Sequence, residues 1–103
     1  MKANYVFHRL ADADLDAIVD YTRREWGDAQ ARRYLEKLRK CLDVISNDDM
    51  RYRVETGFAA PVRVMRCQHH YIFCQPRVGE PALILAILHE RMDLTARIAE
   101  RLF

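Results

Sequence analysis

Several absences bound this 103-residue chain before any motif is read. No apolar run approaches the roughly 18 residues that a membrane-spanning helix needs, so no membrane association is expected. The opening Met1-Lys2-Ala3-Asn4-Tyr5 lacks the apolar core of a signal peptide, and a cytoplasmic location is expected. Cysteine is scarce. Cys41, Cys67 and Cys74 are an odd number without a CxxC pair, which reads as small buried apolar residues and not as a disulfide framework. With three glycines and three prolines there is no linker or low-complexity stretch, and a single domain over residues 1–103 is expected. A glycine-rich phosphate loop, a nucleophile elbow and a paired-carboxylate signature are all missing too, as in a protein that acts by binding.

Charge of one kind also thins out along the chain. No lysine follows Lys40, and residues 50–103 carry eight arginines against five acids. Five of those arginines (Arg51, Arg53, Arg63, Arg66 and Arg77) face only Glu55 in opposition. Arginine suits planar recognition of phosphate or carboxylate, although a solvated sheet face explains any one of them equally well. The net charge of +2 is too mild to imply sequence-specific DNA binding.

What is present is organised around Leu83–Asp93. Ala82 to Leu88 is unbroken, branched and apolar, the pattern of a strand buried on both faces. It runs directly into His89-Glu90-Arg91-Met92-Asp93, so a rigid support ends in polar chemistry. Upstream, residues 3–9 read as a first strand. Asp12, Asp14 and Asp16 then open a helix whose apolar face is Leu15, Ile18, Val19, Thr22 and Trp26, stopped by Gly27. Asp28 is placed to cap a second helix, along which Ala31, Tyr34, Leu35, Leu38, Cys41, Leu42 and Ile45 form one stripe. Its basic outer face reads as solvated. So short a connection predicts an antiparallel helical hairpin, with Trp26 and Tyr34 packed on its inner side.

Residues 50–61 read as irregular around Gly57 and Pro61. Strands at 62–67, 70–75 and 82–88 follow as an antiparallel meander, and Leu94–Leu102 as a short helix. The all-apolar strand should be central, so the first strand lies beside it. The fold class is therefore α+β, a small mostly antiparallel sheet in the order 1-4-3-2 with a helical hairpin on one face. Its second face needs cover, from the C-terminal helix or a partner protein.

Taken together, Trp26-Gly27-x-x-Gln30-Ala31-x-x-Tyr34, His70-x-Ile72-Phe73 and Ile87-Leu88-His89-x-Arg91-Met92-Asp93 resemble the ParE branch of the RelE/ParE toxin superfamily over nearly the whole chain. The resemblance implies the plasmid-stabilisation type of toxin from a bacterial type II toxin–antitoxin pair. Such a toxin binds and poisons DNA gyrase, and a cognate ParD-like antitoxin neutralises it in a hetero-oligomer. On that reading Arg63, Arg66, His89, Arg91, Met92 and Asp93 contact the target, there is no catalytic residue, and the antitoxin-binding residues are unassigned. The alternative is a RelE-like ribosome-dependent mRNA endonuclease. It would need a base, an acid and cations at the scissile phosphate, drawn from His70, His89, Arg63, Arg66 and Arg91. The tail Arg97–Phe103 has no tyrosine or histidine to complete that set. His70 and His89 could equally bond neighbouring backbone or a carboxylate such as Asp93. Cys67, His69, His70, Cys74 and His89 do not offer four convergent ligands, so neither a metal nor a cofactor is expected.

Overall fold

The protein is described here from a computed structural model, which defines residues 4–47, 53–56 and 61–101. The expectations for residues 48–52, for Gly57 and for the last two residues lie outside that set. In chain order the elements are β1 (Tyr5–Phe7), α1 (Arg9–Trp26), α2 (Asp28–Ser46), β2 (Arg53–Glu55), β3 (Val62–Cys67), β4 (His70–Gln75), β5 (Ala82–His89) and α3 (Leu94–Arg101).

The architecture is α+β, built on a mixed five-stranded sheet in the order β1-β5-β4-β3-β2. The expected order 1-4-3-2 is thereby corrected. Its four strands keep their neighbours, but Arg53–Glu55 adds a fifth at the edge, antiparallel to β3. Three residues are too few to show a period of two in the sequence, which is why that stretch reads as irregular. The apolar strand β5 is central, with β1 parallel on one side and β4 antiparallel on the other.

Helix α1 begins at Arg9, three residues before the aspartates, because the His8 ring accepts from Leu10 N–H at 3.1 Å and serves as the cap. One residue, Gly27, separates the two helices. Its φ of 87° and ψ of 170° lie in a region essentially reserved for glycine. Asp28 is the first residue of α2 and makes no side-chain cap; it pairs with Arg23 at 3.1 Å instead.

The hairpin lies on one sheet face. Leu38, Leu42 and Ile45 of α2 pack with Leu15 and Ile18 of α1 against Met65, Ile72, Cys74, Ile84 and Ile87. Full burial of one such leucine or isoleucine is worth about 1.5–3 kcal/mol. The opposite face has its own core of Val62, Val64, Phe73, Leu85, Ala86 and Leu88, covered by Ile98 and Leu94 of α3. The C-terminal helix therefore supplies cover on the second face.

Two features of β5 direct everything that follows. Cys74 pairs with Ile84 but Phe73 with Ala86, leaving Leu85 as the extra residue of a β-bulge. Leu85 and Ala86 consequently both face α3, and the alternation resumes with its parity switched. Ile87 thus shares the hairpin face with Ala82 and Ile84. Strand β1, moreover, ends at Phe7, and among the described residues no strand lies beside that edge of β5 beyond Ile84. Side chains complete it. Asp14 Oδ2 accepts from Ile87 N–H at 3.0 Å, and Arg101 donates to Leu85 O at 3.0 Å. Arg101 also grips both Asp14 oxygens, at 2.5 and 3.0 Å, closing α3 onto α1 around the open edge.

Cys41 of α2 and Cys67 of β3 form a disulfide with Cα atoms 6.2 Å apart, while Cys74 is free and buried. This corrects the expectation of three isolated thiols. Packing α2 over β3 brings the two to bridging distance, and a separation of 26 residues gives no sign of that.

Candidate functional site

A groove of about 680 Å³ opens where the hairpin meets the ends of β4 and β5. One wall is α1, contributing Asp14, Ile18, Tyr21, Thr22 and Trp26; Gln30 and Tyr34 of α2 also line it. The other wall is His69 from the β3–β4 connection and His70 from the start of β4, with Ile87, His89, Arg91 and Met92 from β5 and the turn after it. Three of the six exposed large apolar side chains among the described residues gather here: Trp26 is 71% accessible, Tyr21 58% and Met92 46%. The expectation that Trp26 packs inside the hairpin is corrected. The last turn of α1 stands over the groove, and the indole lines it.

The switched parity of β5 brings His89 onto the groove side, directly across from His70 in the strand register. The two rings meet edge to face with centroids 5.2 Å apart. His70 Nδ1 lies 2.6 Å from the Tyr34 hydroxyl, a bond that either partner donates according to the ring tautomer. Burial, and then repulsion from His89 and His69, pulls the His70 pKa down to about 4. The ring is therefore neutral at pH 7. Burial also raises the Tyr34 pKa, so the phenol keeps its proton. His89 Nδ1 accepts from Arg91 N–H at 3.2 Å, which fixes the turn leaving β5.

The residues named from sequence separate into two groups. His89, Arg91 and Met92 line the groove with His70. Arg66 stands at the side, paired with Glu90 at 2.7 Å; the same carboxylate bonds His69 Nδ1 at 3.1 Å. Hydrogen bonding from His69, reinforced by Arg66, holds the Glu90 pKa below its ordinary value. Arg63 lies away from the groove. It pairs with Cys74 at the far end of β3, roughly 13 Å from Cys67 at a strand rise of about 3.3 Å, and donates to Ile45 O at 3.0 Å. Asp93 accepts from Ala96 N–H at 3.2 Å as the N-terminal cap of α3. Tyr21, Gln30 and the outward Trp26 were not among the sequence candidates. The one available signal was the Trp-Gly pair at the helix end, where a large aromatic beside a helix terminus can stand clear of the core.

Chemically, the groove is an apolar, aromatic surface with the neutral His70 imidazole at its base and the Arg91 cation at its rim. Arg91 has no carboxylate within ion-pair reach among the described residues. No cluster of three or more metal-ligating side chains occurs among those residues either.

Residues 5–94 match the family model described as ParE toxin of type II toxin-antitoxin system, parDE. The chain is 49% identical over 98 residues to Toxin ParE of Escherichia coli, covering 95% of each chain. It is 30% identical over 94 residues to Toxin ParE1 of Caulobacter vibrioides, covering 91% of this chain and 96% of the relative. A solved structure titled chromosomal ParDE TA system from P. aeruginosa aligns with a TM-score of 0.68 at 19% identity. That alignment covers 84% of this chain and 95% of the other, and the likeness is one of fold.

Proposed function

Because the chain belongs to the ParE toxin family and is the toxin of a type II toxin–antitoxin system, we propose that it acts in the cytoplasm by binding and poisoning DNA gyrase. A cognate ParD-like antitoxin neutralises it in a hetero-oligomer. The observation that carries the contact reading is the groove itself. Trp26, Tyr21 and Met92 hold large apolar area in water around a base that is already hydrogen-bonded. Aromatic anchors beside an arginine are the composition of a protein-contact hot spot. Target contact is assigned to His89, Arg91 and Met92, joined by Trp26 and Tyr21, with Arg66 at the margin. Arg63 and Asp93 support the fold around it.

The endonuclease reading has less to draw on. Arg63 is engaged at the far end of the sheet, Arg66 is held by Glu90, and His70 is bonded to Tyr34. A base, an acid and two cations are thus not gathered about one point where a phosphate could sit.

The test is a supercoiling assay with purified gyrase. The chain should inhibit supercoiling and accumulate cleaved DNA, and Trp26→Ala should weaken both effects. Full supercoiling at a large molar excess of toxin would refute the proposal. New mRNA ends in a translation extract, lost on His70→Ala and His89→Ala, would favour the endonuclease instead.

A further inference from the structure

The disulfide occupies a mechanically sensitive place. Cys67 is the last residue of β3 and pairs in register with His70, the first of β4, across the Gln68-His69 turn. Gln68 holds a positive φ of 58°, so that turn is tight. The His70 ring meets Tyr34 of α2, and Cys41 lies on the same helix two turns further on. The same hairpin tip is tied to β5 through Glu90, whose N–H donates to His69 O at 2.9 Å and whose carboxylate bonds His69. Among the described residues the tip is joined to α2 by the Tyr34–His70 hydrogen bond, by a 3.6 Å contact of Cys67 Sγ with Lys37 O and by one covalent bond. Only the covalent one can be removed by chemistry under mild conditions.

We propose that Cys41–Cys67 is a reversible redox-modification site, opened and closed by exchange with a low-molecular-weight thiol of the glutathione type, and that its state sets the rigidity of the groove wall formed by His69 and His70. Cys41 is half-buried and Cys67 is 2% exposed, so an external thiolate attacks the Cys41 sulfur. The Cys41–Cys67 bond breaks, Cys67 leaves as thiolate and takes a proton, and a mixed disulfide stands at Cys41. A second external thiol attacks the sulfur of the attached group, forming the external disulfide and releasing Cys41 as thiol. Two protein thiols are gained and two external thiols become one disulfide; oxidation is the reverse. Cys74 stays outside this exchange. It is fully buried on the hairpin face, and burial pushes its thiol up to about 11, leaving no thiolate to compete. The odd cysteine count thus resolves into one exchangeable pair and one inert core residue.

With the bond closed, the wall is pre-organised and partner binding is tighter. With it open, the tip is held to α2 by the Tyr34–His70 hydrogen bond and by the weak donation a free Cys67 thiol can make to Lys37 O, 3.6 Å away, with no covalent tie. The effect on binding rests on reading the groove as a contact surface; the exchange and the change in rigidity do not.

The test equilibrates the full-length chain in glutathione buffers of graded ratio, quenches with an alkylating agent and reads intact mass and peptide links. Two of the three cysteines should be protected together as the buffer becomes oxidising, linked as Cys41 to Cys67, with Cys74 alkylated only after denaturation. Amide exchange at residues 30–37 and 67–70 should slow several-fold in the oxidised form. Inhibition of gyrase by the oxidised chain should be several-fold stronger. Cys41→Ser and Cys41→Ala should both behave as the reduced form in every buffer. Three free thiols under oxidising buffer, a link to Cys74 or between chains, or identical amide exchange in both states would overturn the proposal. If exchange slows as expected but neither form inhibits gyrase, the switch stands and the target assignment falls.

Discussion

Replacing Arg101 by methionine tests the account of how the open edge of β5 is completed. Arg101 makes three hydrogen bonds, two to Asp14 at 2.5 and 3.0 Å and one to Leu85 O at 3.0 Å. The two side chains are only 11% and 17% accessible. Methionine keeps much of the apolar stem but removes all three bonds. The Asp14 carboxylate is then left with Ile87 N–H as its one remaining partner. Breaking a fully buried pair costs about 3–5 kcal/mol, and the residual water access here lowers that to about 2–3 kcal/mol. At a typical urea slope of about 1–3 kcal/mol/M, the midpoint should fall by about 1–2 M without a change in slope. Adding Asp14→Asn should return about 1 kcal/mol. A neutral amide can still accept from Ile87 N–H, and no charge is stranded. A loss below about 0.5 kcal/mol for Arg101→Met, or a double variant no better than the single one, would refute the reasoning.

Three further outcomes are expected. Because the His70 pKa is lowered from 6.5 to about 4, the unfolded chain binds more protons than the folded one between those values, so stability should fall as pH drops through that window. Discounted for partial exposure, the loss is about 1–2 kcal/mol, and thermal melts of His70→Gln should lack this component. Gly27→Ala should destabilise by about 1–3 kcal/mol in urea titrations: no atom lies within 4 Å of the added methyl, so the whole cost is backbone conformation. Trp26→Ala should leave the melting curve within about 0.5 kcal/mol because the ring is mostly in water, yet weaken gyrase inhibition at least tenfold, as an anchor residue would.

The sequence by itself determined seven of the eight elements, all but the short edge strand β2, and most of their neighbours. The stripe from Ala31 to Ile45 is a property of residues adjacent in the chain, and so is the apolar run from Ala82 to Leu88; both became what their spacing implies. That run also placed the first strand beside β5, since only a central strand is apolar on both faces. Together with the Trp-Gly and His-x-Arg-Met-Asp elements, this was enough to identify the family. Most of the site was not legible in this way. His89 faces His70 only because Leu85 bulges out of β5 and switches the parity of every residue after it. Asp14 meets Arg101 across 87 positions, and Cys41 meets Cys67 because of where one helix rests on one strand. Trp26 ends an apolar helical stripe, yet only the packing shows that the last turn of α1 stands over the groove and not over the sheet. Periodicity records which side of its own element a residue occupies. What lies opposite it depends on register and packing between elements, which tertiary structure alone decides.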